Sequence, residues 1–320
     1  MEKTPVTIYT NPAGATVNLN GRPLGVTPMQ DTRIPLAPYY LEIRMPGYRT
    51  ERRSGLSPKD LVLNLMLQPS STVVFGTVWV NSLGMRLQPL TPTLMAAATE
   101  VRVSDYRAFC DATAAAMPAA PPFARNEHHP VVGVSRTEAE AFAKWLTAKE
   151  RAAGMIGAAD SYRLPTDAEW SAMAGCKEEQ GDSPYERQRL AVSTGMEYPW
   201  GHTWPPARAT GNFADMSAVP PLRMEHVIQD YYDEFPYTAP VGSFAPNAQG
   251  LHDLAGNAQE WVSDEYGGPA DFRFRRYGVT RGGDYTSFRP GQLSLHSRIP
   301  HPAGAHLPTI GFRVVLEHKL

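Results

Sequence analysis

The sequence predicts an α+β protein with a small all-β domain over residues 1–69 and a larger mixed domain over residues 70–320. Short strand-like runs crowd the first part, whereas helix-start signals appear only after residue 100. The 320 residues include 30 prolines and 26 glycines, which is typical of a turn-rich chain with much irregular backbone. This length is sufficient for two domains with their own cores.

Composition excludes several classes of function. The formal net charge is -2 and the pI is about 6.5, so we expect no nucleic-acid partner and no binding to an anionic membrane surface. No apolar run is long enough for a membrane span, and residues 1–10 lack the apolar core of a signal peptide. A cell-surface or extracellular location stays open for a chain whose leader has been removed. Two cysteines, Cys110 and Cys176, are too few for a disulfide framework, and we expect two buried structural thiols.

The N-terminal segment contains four strand-like runs with β-branched or alternating apolar residues, namely 6–9, 15–19, 40–43 and 61–63. Asn20-Gly21 predicts a type I′ hairpin turn. With Pro12-Ala13-Gly14-Ala15 and Met45-Pro46-Gly47-Tyr48, the segment resembles a PEGA domain, although Ala13 replaces the glutamate. The resemblance implies a spacer or surface-anchored module without chemistry of its own. A linker is predicted at 68–71.

Beyond the linker, residues 72–80 read as a first strand, and three helix starts follow. Ser104 is expected to open a helix through Phe109. Ser135 with Glu138, and Thr166 with Glu169, have the spacing of capping boxes, in which each side chain bonds the other residue's backbone N–H. Residues 152–160, 176–195 and 219–237 read as loops or insertions.

Residues 246–261 form a polar, turn-rich stretch that we expect to bind calcium. Gly250, Gly256 and Asn257 tolerate positive φ, and Asp253 and Glu260 flank the turns. Carboxylates and backbone carbonyls gathered by a tight turn are the ligands that calcium requires. A polar loop that only covers the edge of a core is the alternative.

Residues 250–261 also resemble the GLYDMxGNVWEW signature of the formylglycine-generating-enzyme (sulfatase-modifying factor) family. Companion motifs follow in the family's order: Glu100-Val101, His129-Pro130-Val131-Val132, Tyr162-Arg163-Leu164-Pro165-Thr166-Asp167-Ala168-Glu169-Trp170, Tyr198-Pro199-Trp200-Gly201, Ala239-Pro240-Val241-Gly242, Arg281-Gly282-Gly283 and Gly311-Phe312-Arg313. The resemblance implies the variant of the C-type lectin fold that this family adopts. It also implies one or two structural calcium ions. The first site would use the side chains of Asn212 and Asp233 with the carbonyls of Phe213 and Phe235, and the second Asp253 and Glu260 with the carbonyls of Gly256 and Ala258.

The chain departs from the family at the catalytic centre. Formylglycine-generating enzymes bind copper through two cysteines after their Gly-Gly-Ser-Tyr motif. Here Ser287 and Gln292 occupy those positions, and neither supplies the soft thiolate that Cu(I) prefers. We therefore expect no copper and no oxidase chemistry, since function depends on the site and not on the fold.

The segment between Tyr285 and Thr309 has an unusual composition. It contains one residue from the set Lys, Glu, Gln, Met and Trp, where roughly four are expected from usage in the whole chain. An Asn codon randomised at its adenines cannot encode that set. The segment therefore resembles the variable region of C-type lectin-fold proteins that are diversified by retroelements. We expect the ligand-binding residues to be Asp284, Tyr285, Thr286, Ser287, Phe288, Arg289, Gln292, Ser294, His296, Arg298, His301 and His306.

The leading hypothesis is a non-catalytic protein that presents residues 284–309 to an unknown ligand, a protein or cell-surface target. The first alternative is an oxidoreductase of the sulfatase-modifying class, or a related oxygenase, with displaced metal ligands. The second is a structural accessory protein of a surface complex.

Overall fold

The computed structural model describes residues 3–11, 13–35, 37–45, 48–56, 61–67, 72–123, 126–176, 179–191, 195–267 and 276–320. The predicted linker at 68–71 lies outside these residues. The chain forms two compact units. The first unit comprises Met1–Val73, Val80–Met85 and Glu150–Ile156. The second comprises Val74–Trp79, Arg86–Lys149 and Gly157–Leu320.

The first unit is built on β-strands, as predicted. Its strands are β1 (Lys3–Asn11), β2 (Thr16–Leu19), β3 (Arg22–Val26), β4 (Met29–Pro35), β5 (Pro38–Arg44), β6 (Glu51–Leu56) and β7 (Leu61–Met66). They form a three-stranded sheet of order β4-β1-β7 and a four-stranded sheet of order β3-β2-β5-β6. Asn20 and Gly21 both have positive φ, 49° and 77°, which confirms the hairpin turn between β2 and β3.

The four predicted runs lie in strands whose inward side chains form the core of this unit. Val6 and Ile8 of β1, Val17 of β2, and Leu41 and Ile43 of β5 are at most 1% exposed. Strands β3, β4 and β6 were not predicted from the sequence. The reason is clearest for β6, an edge strand that contacts the sheet only through β5 and exposes nearly all of its side chains. Such a strand has no apolar alternation to detect.

The second part of the chain contains two antiparallel-rich sheets. The strands are β8 (Trp79–Val80), β9 (Arg86–Thr91), β10 (Leu94–Ala97), β11 (Asp160–Arg163), β12 (Gln259–Glu265), β13 (Tyr277–Arg281), β14 (Ile299–Pro302), β15 (Ile310–Gly311) and β16 (Val315–His318). The sheet orders are β11-β16-β10-β9-β8 and β14-β13-β12-β15. The strand predicted over 72–80 was wrong except for Trp79–Val80, because residues 72–78 form turns and irregular backbone.

The helices are α1 (Val103–Thr113), α2 (Arg136–Ala152), α3 (Asp167–Met173), α4 (Pro184–Ala191), α5 (Val219–Leu222) and α6 (Pro290–Leu293). The predicted capping boxes of α2 and α3 are confirmed: the backbone N–H groups of Ser135 and Thr166 each donate to the partner glutamate at 2.8 Å. Helix α1 begins one residue earlier than predicted, because Asp105 accepts the backbone N–H of Arg102 at 3.0 Å.

Two predicted loops contain helices. Helix α4 lies within 176–195 and buries only Pro184 and Ala191, so it has no apolar stripe that a periodicity argument could find. Helix α5 is a single turn of four residues within 219–237. No helix in the described part of the chain is long and apolar enough to cross a membrane.

The packing of α1 on α2 is aromatic. Tyr106 stacks on Phe142 with ring centroids 5.9 Å apart, and both rings contact Phe312 edge-on. Cys110 of α1 is 5% exposed, as predicted for a structural thiol, whereas Cys176 after α3 is only half-buried. The 284–309 segment begins after β13 and ends before β15, and Phe312 of this aromatic cluster follows β15.

Candidate functional site

The 284–309 segment is not one free loop. It contains helix α6 and strand β14, and β14 pairs with β13 through Gly278 opposite His301 and Thr280 opposite Ile299. Strand β14 lies at the edge of this sheet, and its four side chains are all partly or fully exposed.

Five of the predicted ligand-binding residues are buried, and none of them is more than 7% exposed. They are Asp284 (4% exposed), Tyr285 (2%), Ser287 (2%), Ser294 (7%) and Arg298 (1%). The expectation of an exposed binding face does not hold for these residues. The polar side chains of Asp284, Ser287 and Arg298 can lie this deep because each has a buried hydrogen-bond partner.

The partner of Arg298 is Asp167, the first residue of α3. The Arg298 Nε donates to both oxygens of Asp167 at 3.0 Å, Arg281 Nη1 donates to Oδ1, and Arg187 Nη1 donates to Oδ2 at 2.9 Å. Arg281 and Arg298 are at most 1% exposed. Burial raises the pKa of Asp167, but the guanidinium groups of Arg281 and Arg298 outweigh it and hold this pKa below its usual range. The carboxylate thus stays ionised as the centre of a buried ion cluster.

The other seven predicted residues keep some exposure. Arg289 and His306 are exposed, and the partly exposed residues are Thr286, Phe288, Gln292, His296 and His301. They fall into two groups by their contacts. The Arg289 guanidinium lies 5.2 Å from the Phe288 ring, which in turn lies 5.8 Å from the ring of His226. In the second group, His306 Nε2 lies 2.9 Å from Glu138 Oε2 at the start of α2. His301 lies beside Gln259, and burial lowers the pKa of its imidazole.

A cavity of about 230 Å³ is lined in part by the 284–309 segment. Its lining residues come from α4, from the chain after it and from the 284–309 segment: Gln188, Ala191, Gly195, Met196, Gly291, Ser294, His296 and Ser297. Met196 is 53% exposed. The cavity therefore joins an exposed apolar side chain to polar groups of the predicted binding segment, which is the usual composition of a ligand pocket.

The two copper-cysteine positions are filled by side chains that hold the loop together. The Ser287 hydroxyl accepts the backbone N–H of Asp284 at 3.0 Å. Gln292 Oε1 accepts the backbone N–H groups of Phe288 and Arg289 at 3.1 and 2.9 Å. Both side chains thus form the hydrogen bonds of a local turn and a helix start.

The second predicted calcium site lies at the turn before β12. Gly256 has a φ of 78°, and a Cβ atom there would lie 2.1 Å from the carbonyl oxygen of Asn212, so only glycine fits. The Asp253 carboxylate accepts the backbone N–H of Gly242 at 2.6 Å through Oδ2, while its Oδ1 is buried without a hydrogen-bond donor among the described residues. Both carboxylate oxygens of Glu260 accept hydrogen bonds from Arg313. The Oε2 atom also accepts the indole N–H of Trp170 at 2.8 Å.

A third carboxyl, which the sequence did not place in this site, faces the same space. Glu100 is fully buried, its Oε1 accepts the side-chain amide of Asn257 at 3.0 Å, and its Oε2 lacks a donor among the described residues. Burial and the nearby Asp253 and Glu260 carboxylates raise the pKa of Glu100 well above its usual range. Three buried carboxyls against the one guanidinium of Arg313 need a further positive charge, either a proton shared between Glu100 and Asp253 or a bound cation.

The first predicted calcium site also has an oxygen without a donor. Asn212 is buried and donates its amide to the Tyr237 carbonyl at 2.8 Å, whereas its Oδ1 is unpaired in the part of the chain that is described. The Asp233 carboxylate accepts the backbone N–H groups of Phe213 and Phe235 at 2.8 and 2.9 Å. Burial, together with Asp215 and Glu234, raises the pKa of Asp233 to about 7.

One buried side chain connects the two sites. Asn257 accepts the amide of Asn212 at 3.1 Å and donates to Glu100 at 3.0 Å. Glu100 and Asp215 are the two residues of these sites that we did not predict from the sequence. Both are fully buried acids. Glu100 lies far along the chain from Asp253, whereas Asp215 lies within the 212–233 segment. The oxygens present at both sites fit a hard cation, which takes oxygen ligands only.

Comparison with known proteins agrees with this architecture. Residues 79–318 match the domain described as Sulfatase-modifying factor enzyme 1-like, and residues 4–65 match the PEGA domain. These matches confirm the predicted fold class, a C-type lectin fold of the formylglycine-generating-enzyme type after a small all-β domain.

Curated relatives are longer than this chain. A formylglycine-generating enzyme of Thermomonospora curvata is 33% identical over 140 residues, which is 43% of this chain and 34% of that protein. The serine/threonine-protein kinase pkn1 of Chlamydia pneumoniae is 29% identical over 203 residues, 58% of this chain and 23% of that protein. The chain thus spans about a quarter to a third of these two relatives.

Two solved structures are similar at low identity. The crystal structure of CarF superposes with a TM-score of 0.48 at 24% identity and covers 71% of this chain and 87% of that one. Treponema denticola variable protein 1 has a TM-score of 0.47 at 16% identity, with 76% and 99% covered. The family assignment rests on the domain match, which extends over most of the chain. With that match at residues 79–318, the chain belongs to the sulfatase-modifying factor enzyme 1-like family.

Proposed function

We propose that this chain is a non-catalytic member of its family that binds a protein or cell-surface target through the exposed part of residues 284–309. The observation that supports this most directly is the use of Ser287 and Gln292. Both side chains bond backbone N–H groups of their own turn, where the family's oxidases hold copper. A thiolate pair is needed for that chemistry, and the two side chains present here have no soft donor atom.

The surface that we propose for binding includes Phe288 and Arg289, together with the cavity of about 230 Å³ that Met196 lines. An aromatic ring, an arginine and a methionine are the side-chain types that anchor interfaces or adapt to them. We further propose that the exposed positions are diversified by a retroelement. A near-copy of the 284–309 coding segment beside the gene, with adenines at the variable codons, is the signature of that process.

Incubation with copper, oxygen and a cysteine peptide of the sulfatase type is expected to leave the mass of the peptide unchanged. The physical reason is that Ser287 and Gln292 supply hydroxyl and amide oxygens where Cu(I) needs thiolates. Mass spectrometry of the peptide measures the outcome, with a metal-free sample as control. Turnover above that control would restore the oxidoreductase alternative.

Binding itself is tested with an array of glycans and of cell-surface ectodomains. We expect at least one component to bind the wild-type chain and to be lost on Arg289→Glu, because charge reversal at an interface anchor repels a matched partner. Arg208→Glu, which changes another exposed arginine, is the matched control and is expected to bind as the wild type does.

Both of these variants should melt at the wild-type temperature, since surface substitutions away from special features barely change stability. Binding that survives Arg289→Glu would remove this surface from the proposal. A large loss of melting temperature in Arg289→Glu would show that Arg289 belongs to the scaffold, as Arg298 does.

A further inference from the structure

Three side chains with metal-ligand chemistry converge beside α3. Cys176 follows the helix, Glu179 lies three residues further on, and His296 comes from the segment after α6. The Cys176 Sγ lies 3.9 Å from His296 Nδ1, which lies 3.1 Å from Glu179 Oε1, and all three atoms are within 4.8 Å of one another. We propose that these three atoms bind one divalent cation of the zinc class. The proposal does not depend on the ligand-binding function above.

The distances agree with tetrahedral coordination. Zinc binds sulfur at about 2.3 Å and nitrogen or oxygen at about 2.0 Å. At tetrahedral angles, ligand edges built from these bond lengths are about 3.5 Å for sulfur to nitrogen and about 3.3 Å for nitrogen to oxygen. The observed 3.9 and 3.1 Å differ from these edges by a few tenths of an ångström. A thiolate and an imidazole also select a borderline metal over calcium, which takes oxygen ligands only.

Neighbouring groups orient the ligands. Glu179 Oε2 accepts Arg298 Nη2 and the Ser171 hydroxyl, both at 2.6 Å, and this leaves Oε1 directed at His296. The backbone N–H of Cys176 donates to the Ser171 carbonyl at 2.9 Å. Such contacts fix the carboxylate and the cysteine before a metal arrives, as outer-shell partners do in established sites.

Three arginines lie near the proposed site, and neighbouring acids balance their charge, so these arginines do not exclude a cation. Two acids pair with Arg187, Arg281 and Arg298: Asp167 binds all three guanidinium groups, and Glu179 also binds Arg298. Burial raises the pKa of the Cys176 thiol, and a third acid, Glu197, raises it as well.

The site also has room for a fourth ligand. His296, Ser294 and Met196 line the cavity of about 230 Å³, so water or a donor atom of a bound molecule can complete the coordination. An open position of this kind distinguishes a reactive or ligand-recruiting metal site from a closed structural one.

Titration with Co²⁺ in excess Ca²⁺ tests the proposal, since calcium occupies sites built from oxygen alone. We expect one equivalent of Co²⁺ to produce a thiolate-to-cobalt charge-transfer absorption, and one equivalent of Zn²⁺ to remove it. Cys176→Ser should abolish the absorption, and His296→Ala should weaken cobalt binding at least tenfold. Cys110→Ser changes the other cysteine and should leave the spectrum intact.

A second measurement needs no variant. Zinc should protect Cys176 of the wild-type chain from alkylation, as read by peptide mass spectrometry, while Cys110 shows no zinc-dependent change. The proposal is overturned by a wild-type chain without the charge-transfer absorption, by an absorption that persists in Cys176→Ser, or by alkylation of Cys176 at the same rate with and without zinc. Each of those results would leave the three residues as a His–Glu pair beside an ordinary thiol.

Discussion

Replacement of Asp167 by asparagine is expected to destabilise the fold by about 3–5 kcal/mol, the usual cost of removing one partner from a buried charge pair. Asp167 is fully buried and bonds the guanidinium groups of Arg187, Arg281 and Arg298. Asparagine keeps the shape but removes the charge, so the buried Arg281 loses the carboxylate that it binds, and Arg298 is left with the carboxylate of Glu179. Urea unfolding monitored by circular dichroism measures the change.

The control for this experiment is Asp111→Asn, which removes an exposed carboxylate from α1 and should not change the unfolding curve. Arg298→Ala is expected to behave like the Asp167 variant, because it removes the other half of the same contact. An Asp167→Asn protein with wild-type stability would show that the cluster contributes nothing net. It would also weaken our assignment of Arg298 to the scaffold and not to the binding surface.

Removal of calcium by a chelator is expected to lower the melting temperature, and to lower it more at about pH 8 than at about pH 5.5. A cation that binds only the folded state stabilises it by about 2.7 kcal/mol at a hundredfold excess over Kd. The acceptors would be the unpaired oxygens of Asn212, Asp253 and Glu100.

The pH dependence follows from the carboxyl groups at the two sites. Burial raises the pKa of Asp233 to about 7 and raises the pKa values of Asp253 and Glu100. Without calcium, the folded state keeps protons that the unfolded chain releases above about pH 4. Stability is therefore lost as the pH rises through the folded-state pKa, and a cation is needed most where these groups must ionise.

Differential scanning calorimetry with excess calcium and with chelator measures both effects. Asp253→Asn should reduce the calcium dependence, and Asp111→Asn should keep it. Identical melting curves with calcium and chelator at both pH values would contradict the calcium assignment, and a proton shared by Glu100 and Asp253 would then be the further positive charge beside Arg313.

The elements that sequence reasoning found correctly depend on contacts between near neighbours. The starts of α2 and α3 follow from a Ser or Thr and a glutamate three residues apart, and the β2–β3 hairpin follows from Asn20-Gly21. The ordered motifs of residues 100–313 likewise predicted the family and its fold. The expectation that Ser287 and Gln292 stand where the family holds copper cysteines also comes from the sequence, and it stays a prediction.

Exposure within the 284–309 segment was decided by the tertiary structure. We expected Asp284, Ser287 and Arg298 to bind ligand, yet all three lie in the core. A charged side chain is stable in the core only beside a group of opposite charge. For Arg298 that group is Asp167, which lies 131 residues earlier in the chain. Glu100 likewise meets Asn257 across 157 residues. Pairings at such separations arise from how the sheets and helices pack, so a local pattern of residues does not specify them.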